Sequence, residues 1–183
     1  MAALGALSVL AALLLLNPAK AEAAVCSQAT IEATFSTGTL YVSTEIGGTG
    51  DRQNLLRARA GAVGPWEKFN ICFYDGYETI ASVANNRYVS AEKNLTGEYY
   101  RSLRARATEI GPWEKFTISC PGTAAPRDCT IFSQATQRYV SVEKSGVSGQ
   151  NQGVLRARAS SVGPWEIVRI WGVSESSSRR LEP

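Results

Sequence analysis

Arg87-Tyr88-Val89-Ser90-Ala91-Glu92, then Leu103-Arg104-Ala105-Arg106, then Gly111-Pro112-Trp113-Glu114 stand in that order in the middle of the chain, and the same order returns on either side. Tyr41 to Glu45, Leu56 to Arg59 and Gly64 to Glu67 precede it; Tyr139 to Glu143, Leu155 to Arg158 and Gly163 to Glu166 follow it. The GPWE tryptophans Trp66, Trp113 and Trp165 are 47 and then 52 residues apart. An ordered motif set recurring at near-constant spacing marks a repeat architecture, in which no single unit buries its apolar face alone. The units run about 24–74, 75–122 and 123–173.

Each unit reads as four short strands separated by Gly, Asn, Ser or Pro. In the middle unit these are Thr79 to Ala84, Arg87 to Glu92, Ser102 to Ala107 and Trp113 to Ser119. Leu103, Ala105 and Ala107 alternate with Arg104 and Arg106, the period of two that a strand requires. Val89 and Ala91 likewise alternate with Tyr88, Ser90 and Glu92. Trp113 and Phe116 are three apart, which predicts a bend or bulge between them. No segment settles into the 3.6 period of a helix. Three units of four strands predict an all-β protein, a twelve-stranded β-trefoil with pseudo-threefold symmetry: a six-stranded barrel capped by three hairpins. A propeller of three blades would fall below the usual minimum of four.

The ends read differently. Residues 1–23 contain the apolar run Val9 to Leu16, too short to span a bilayer, and then two A-x-A sites at Ala19 to Ala21 and Ala21 to Ala23. That is the pattern of a secretory signal peptide, although no Lys or Arg precedes the run. Residues 174–183 are Ser-rich and polar, and read as a flexible tail. No second hydrophobic stretch offers a membrane anchor, so the expected localisation is secreted. The formal charge of +3 is mild, and its arginines are distributed over three LRAR copies, which argues against a nucleic-acid partner. In an exported chain, Cys26, Cys72, Cys120 and Cys129 suggest two disulfides, for which three pairings exist. Cys120 and Cys129 bracket a turn-rich loop that could close locally, leaving Cys26 for Cys72. With no CxxC spacing and no histidine, a zinc site is the weaker reading.

The succession of YVS-x-E, a Gly-containing loop, LRAR and GPWE resembles the fascin-like β-trefoil repeat, across Cys26 to Val173 and in all three units. Two departures stand out: LRAR replaces the Asn-Arg usual there, and the third unit reads Trp165-Glu166-Ile167-Val168. Fascin itself joins four trefoils and bundles actin. A single exported trefoil is more similar to the fascin-like modules that accompany secreted bacterial polysaccharide-degrading enzymes, for which the resemblance implies sugar binding.

Catalysis finds little support in the residues. Without histidine there is no Ser-His-Asp or Cys-His constellation. The repeated glutamates of YVS-x-E and GPWE sit in three equivalent settings, whereas acid–base work needs two carboxylates with separated pKa values; pairing with the repeated arginines explains them better. Neither a cofactor nor a metal is implied. The repeated tryptophans are expected in the core. Function should then lie where the copies disagree. Two clusters meet the needs of sugar recognition, an aromatic face beside polar groups: Asp75 and Tyr77 between the first two units, with Asn85 in the turn after them, and Tyr99, Tyr100 and Arg101 in a middle-unit loop. The expected protein is a monomeric, non-catalytic, lectin-like binder of a glycan or polysaccharide. The alternative is a protein-binding module, either actin-binding or a protease inhibitor presenting Arg127 in the loop between Cys120 and Cys129.

Overall fold

The computed structural model describes residues 24–145 and 149–173; the expected signal peptide and the expected C-terminal tail lie outside them. Twelve strands follow one another: β1 (Val25–Phe35), β2 (Gly38–Glu45), β3 (Leu55–Ala60), β4 (Phe69–Tyr74), β5 (Tyr77–Ser82), β6 (Arg87–Ala91), β7 (Leu103–Ala107), β8 (Phe116–Ser119), β9 (Arg127–Ser133), β10 (Arg138–Val142), β11 (Leu155–Ala159) and β12 (Val168–Trp171). Antiparallel pairs β1–β4, β4–β5, β5–β8, β8–β9, β9–β12 and β12–β1 return to their starting point, which closes a six-stranded barrel. The hairpins β2–β3, β6–β7 and β10–β11 cap it. This is the β-trefoil expected from the repeat.

Period-two alternation fills the barrel. Ile31, Ile80 and Ile131 occupy equivalent places, as do Phe69, Phe116 and Val168, and all six are buried. The hairpins add Val42, Val89 and Val140 with Leu56, Leu103 and Leu155. Closing the barrel also removes unpaired strand edges. Both expected disulfides form, Cys26–Cys72 and Cys120–Cys129.

The GPWE phrase behaves otherwise than its composition suggests. Pro112–Glu114 forms a single 3-10 turn ahead of β8, so Trp113 does not belong to a strand; Pro65–Glu67 does the same ahead of β4. Glu114 turns inward. Its Oε1 accepts the Ser90 hydroxyl at 2.5 Å and its Oε2 accepts the Gly111 amide at 2.8 Å. Ser43–Glu67–Gly64 and Ser141–Glu166–Gly163 repeat the arrangement. Glycine leaves room for this approach, since an added Cβ at Gly64 or Gly111 would lie 3.0 Å from the carboxylate, a tight contact. With the glutamate buried, the neighbouring indole is turned outward: Glu67 is 6% exposed and Trp66 43%. Trp113 and Trp165 are half-buried. The core assignment of these tryptophans is therefore corrected, and so is the pairing of the GPWE glutamates with arginine.

The other repeated charges do pair as expected. Arg59, Arg106 and Arg158 meet Glu45, Glu92 and Glu143 within their own units. The first arginine of LRAR crosses to a neighbouring unit. Arg57 donates to the Gln152 and Gly149 carbonyls, Arg104 to those of Gln53 and Gly50, and Arg156 to that of Tyr100. Backbone bonds follow the same circuit at 2.8 Å, from Ala58 to Gly153, Ala105 to Asn54 and Ala157 to Arg101. All three accepting residues have positive φ. At Gly153 only glycine fits, because a Cβ would sit 2.2 Å from the Ala58 carbonyl oxygen.

Two predictions concern stability. Glu114→Ala strands a buried hydroxyl and a backbone amide, and should cost about 2–4 kcal/mol in urea unfolding; Trp113→Ala, which leaves those groups paired, should cost clearly less. Glu78 breaks the barrel's symmetry, standing where the other units have Ala29 and Cys129. It is 3% exposed. Burial raises its pKa, against the lowering effect of the Ile118 amide that donates to it. The folded state therefore holds this proton more tightly than the unfolded chain, and Glu78 opposes folding increasingly as pH rises from the unfolded carboxylate range through its raised value. Glu78→Gln should flatten that part of the stability–pH curve and raise stability at pH 8; an unchanged curve would rule the account out.

Candidate ligand-binding surface

With the shared residues occupied in holding the units together, the surface differs between units mainly in its loops. The first sequence cluster lies at the β4–β5 turn. Tyr74 and Tyr77 pair across the hairpin and stack at 4.8 Å between ring centroids, and Gly76 takes φ +80° between them. Lys115 Nζ sits 4.4 Å from the Tyr77 centroid. Tyr77 is therefore half-buried by its neighbours, whereas Asp75 is exposed at the turn. Asn85 serves the frame of the protein, since its Nδ2 donates to the Ala105 carbonyl and its Oδ1 accepts the Arg87 amide.

The second cluster lies in the β6–β7 loop, around a 3-10 turn at Gly97–Tyr99. Tyr99 is half-buried and hydrogen-bonded to Glu98; burial is the largest cause of its raised pKa. Glu98 accepts from Asn151 of the third unit at 3.0 Å, and this bond, with that from Tyr99, holds its carboxyl below the usual range. Tyr100 is 43% exposed, with the Arg101 guanidinium 4.8 Å from its ring centre. Tyr100 lines a groove of about 310 Å³ together with Glu98, Asn151, Arg156 and Arg158. The contacts of this cluster run to Asn151 of the third unit and Arg52 of the first, and those of Tyr77 to Tyr74 and Lys115, so the two clusters form separate surfaces.

A third surface escaped the sequence reading. In the first unit, Gly47, Gly48, Thr49 and Arg52 form one side of a groove of about 480 Å³ that Glu45, Arg59 and Trp66 complete. Glu45 is almost fully buried and bridges Arg52 at 3.2 Å and Arg59 at 3.1 Å. The acid thus fixes two guanidinium groups beside an exposed indole. Gly48 approaches the Arg52 carbonyl so closely that an added Cβ would lie 2.6 Å from its oxygen, while Gly47 faces open space. The signal for this groove is present in the sequence, since Trp66 follows a Gly-Pro turn, but repetition alone does not say whether a ring faces in or out. Among the described residues, no group of three or more His, Cys, Asp or Glu is placed to hold a metal.

The solved structures share this architecture. The designed threefold-symmetric protein ThreeFoil matches with a TM-score of 0.60 at 12% identity, over 81% of this chain and 99% of its own.

The fold is a β-trefoil.

A BEL β-trefoil matches with a TM-score of 0.57 at 11% identity, over 80% of this chain and 93% of its own. A GlcNAcα1-4Gal-releasing endo-β-galactosidase from Clostridium perfringens matches with a TM-score of 0.54 at 11% identity, over 81% of this chain but 33% of the enzyme. At such identities the likeness concerns the fold alone. No family model matches the sequence, and no curated protein matches it.

The two neighbouring glycines provide a test of the groove. Gly48→Ala should destabilise the protein by about 1–3 kcal/mol as the loop shifts away from Arg52, and Gly47→Ala should have almost no effect in thermal unfolding.

Proposed function

We propose that this protein is an exported, non-catalytic carbohydrate-binding trefoil of the fascin-like type. The observation that carries the reading is the Trp66 groove, where an exposed indole stands beside guanidinium groups held in place by Glu45. An aromatic face suits the C–H side of a pyranose ring, and fixed charged donors and acceptors suit its hydroxyls. Prior fixation lowers the ordering cost on binding. The Tyr100 groove offers the same ingredients a unit away, so a polymer could engage both and gain avidity from two weak contacts. Two disulfides are compatible with an oxidising compartment. No helix among the described residues is long and apolar enough to cross a membrane.

The protease-inhibitor alternative loses its main support. Arg127 is 4% exposed and begins β9, so it is not presented as a bait side chain. The actin-binding form rests on the family resemblance, with no surface feature favouring it.

Pull-down on insoluble cellulose, chitin, xylan and β-1,3-glucan tests the reading. Retention on at least one is expected, with Trp66→Ala weakening it roughly five- to tenfold and Tyr100→Ala weakening it less. A folded wild-type protein retained on none of these, nor on a glycan array, would overturn the proposal.

A further inference from the structure

The barrel wall has three equivalent faces, at the pairs β4–β5, β8–β9 and β12–β1. Superposing their registers shows what each unit places outward at one position. The β4–β5 face carries Asn70 opposite Ala81, and the β8–β9 face carries Thr117 opposite Phe132. The β12–β1 face carries Arg169 opposite Glu32, with Trp171 opposite Thr30. The copies disagree here as completely as in any loop, although the position lies in regular strand.

Only on the β12–β1 face is a charged cluster built around an indole. Glu32 is 3% exposed and accepts three neighbours. Its Oε1 accepts Trp171 Nε1 at 2.6 Å, its Oε2 accepts the Arg169 guanidinium at 2.7 Å, and it is hydrogen-bonded by Tyr41. That last bond, reinforced by the carboxylate charge, raises the Tyr41 pKa. Arg169 also donates to the Thr39 hydroxyl at 3.1 Å. Tying β12 to β1 employs the Glu32 carboxylate, the indole N–H and one Arg169 amino group, and leaves much of the indole open. Trp171 remains 42% exposed, and the Arg169 side chain 37%.

We infer that Trp171 is the stacking platform of a second carbohydrate site on the barrel wall, taking one pyranose unit of an oligosaccharide, with Arg169 and the Tyr41 oxygen meeting its hydroxyls. This rests on the carbohydrate reading of the Trp66 groove and extends it to a face formed by different strands. The bond from Nε1 to Glu32 fixes the ring plane, so stacking requires little further ordering. An exposed indole whose Nε1 is held by a carboxylate that also gathers a guanidinium and a phenol suits a sugar. A protein hot spot instead needs a dry, well-packed apolar surround.

Titration with cellohexaose, chitohexaose, laminarihexaose and xylohexaose, followed through the indole N–H resonances of the four tryptophans, tests the inference. Trp171→Phe assigns its resonance, and the other three indole signals report whether the fold is kept. In Trp66→Ala the Trp171 signal should still shift with the same sugar, and Trp171→Ala should weaken retention on the matching polysaccharide about fivefold. If the Trp66 signal responds to a sugar and the Trp171 signal does not, this site is overturned and the proposed function stands. If neither responds, and no polysaccharide retains the protein, both fall. A Trp171 ring shielded from acrylamide quenching in a concentration-dependent dimer would also overturn the site, assigning the face to a second copy of the chain.

Discussion

Three arginines reach across unit boundaries, and that reach ties the three units of the closed barrel to one another in a ring. Arg57, Arg104 and Arg156 each donate to a loop carbonyl of a neighbouring unit, alongside a backbone bond running the same way. Each unit is therefore donor to one neighbour and acceptor from the other. Such a circuit closes at three. Solenoid repeats contact only the units before and after them and can be added at an end, whereas here a fourth copy would have no place. Variation falls mostly on the surface this frame carries, with Glu78 an exception inside the barrel.

Much of that frame is legible from the chain. The alternation in LRAR places Leu103 and Ala105 in the core with Arg104 and Arg106 facing away, and the repeated Glu92–Arg106 type of pair follows from it. GPWE reads as a turn and lies where the sequence puts it, but the orientation of its residues is the reverse of what composition suggests. Tryptophan is the more apolar and glutamate the more polar, so composition assigns the indole to the interior. The outcome is decided by hydrogen-bond satisfaction: Glu114 answers a buried Ser90 hydroxyl and the Gly111 amide together, which no indole could do. Ser90 of YVS-x-E and Gly111 of GPWE carry that information jointly, 21 residues apart.

The candidate surfaces are less legible for a related reason. Loop clusters such as Tyr99–Tyr100–Arg101 can be found by comparing the copies, and the structure gives Tyr100 an exposed place. The Trp66 groove cannot be found that way, because its indole belongs to the shared motif and its partners, Gly48 and Arg52, belong to the unit's own loop. Trp171 escapes notice because its partners come from the opposite end of the chain: Glu32 is 139 residues away in sequence.

That distance has a temporal meaning. During synthesis β1 emerges first, and its Glu32 has neither Arg169 nor Trp171 until β12, the last strand, is made. Long-range pairings of this kind are slow to form because loop-closure entropy must be overcome before they contribute. The indole acquires its fixed orientation only when the barrel is sealed, so a chain interrupted before β12 would present the unpaired edges of β1 and β9 in place of the platform. The final pair of strands thus works as the seam of the molecule, and a correctly oriented Trp171 records that the seam has closed.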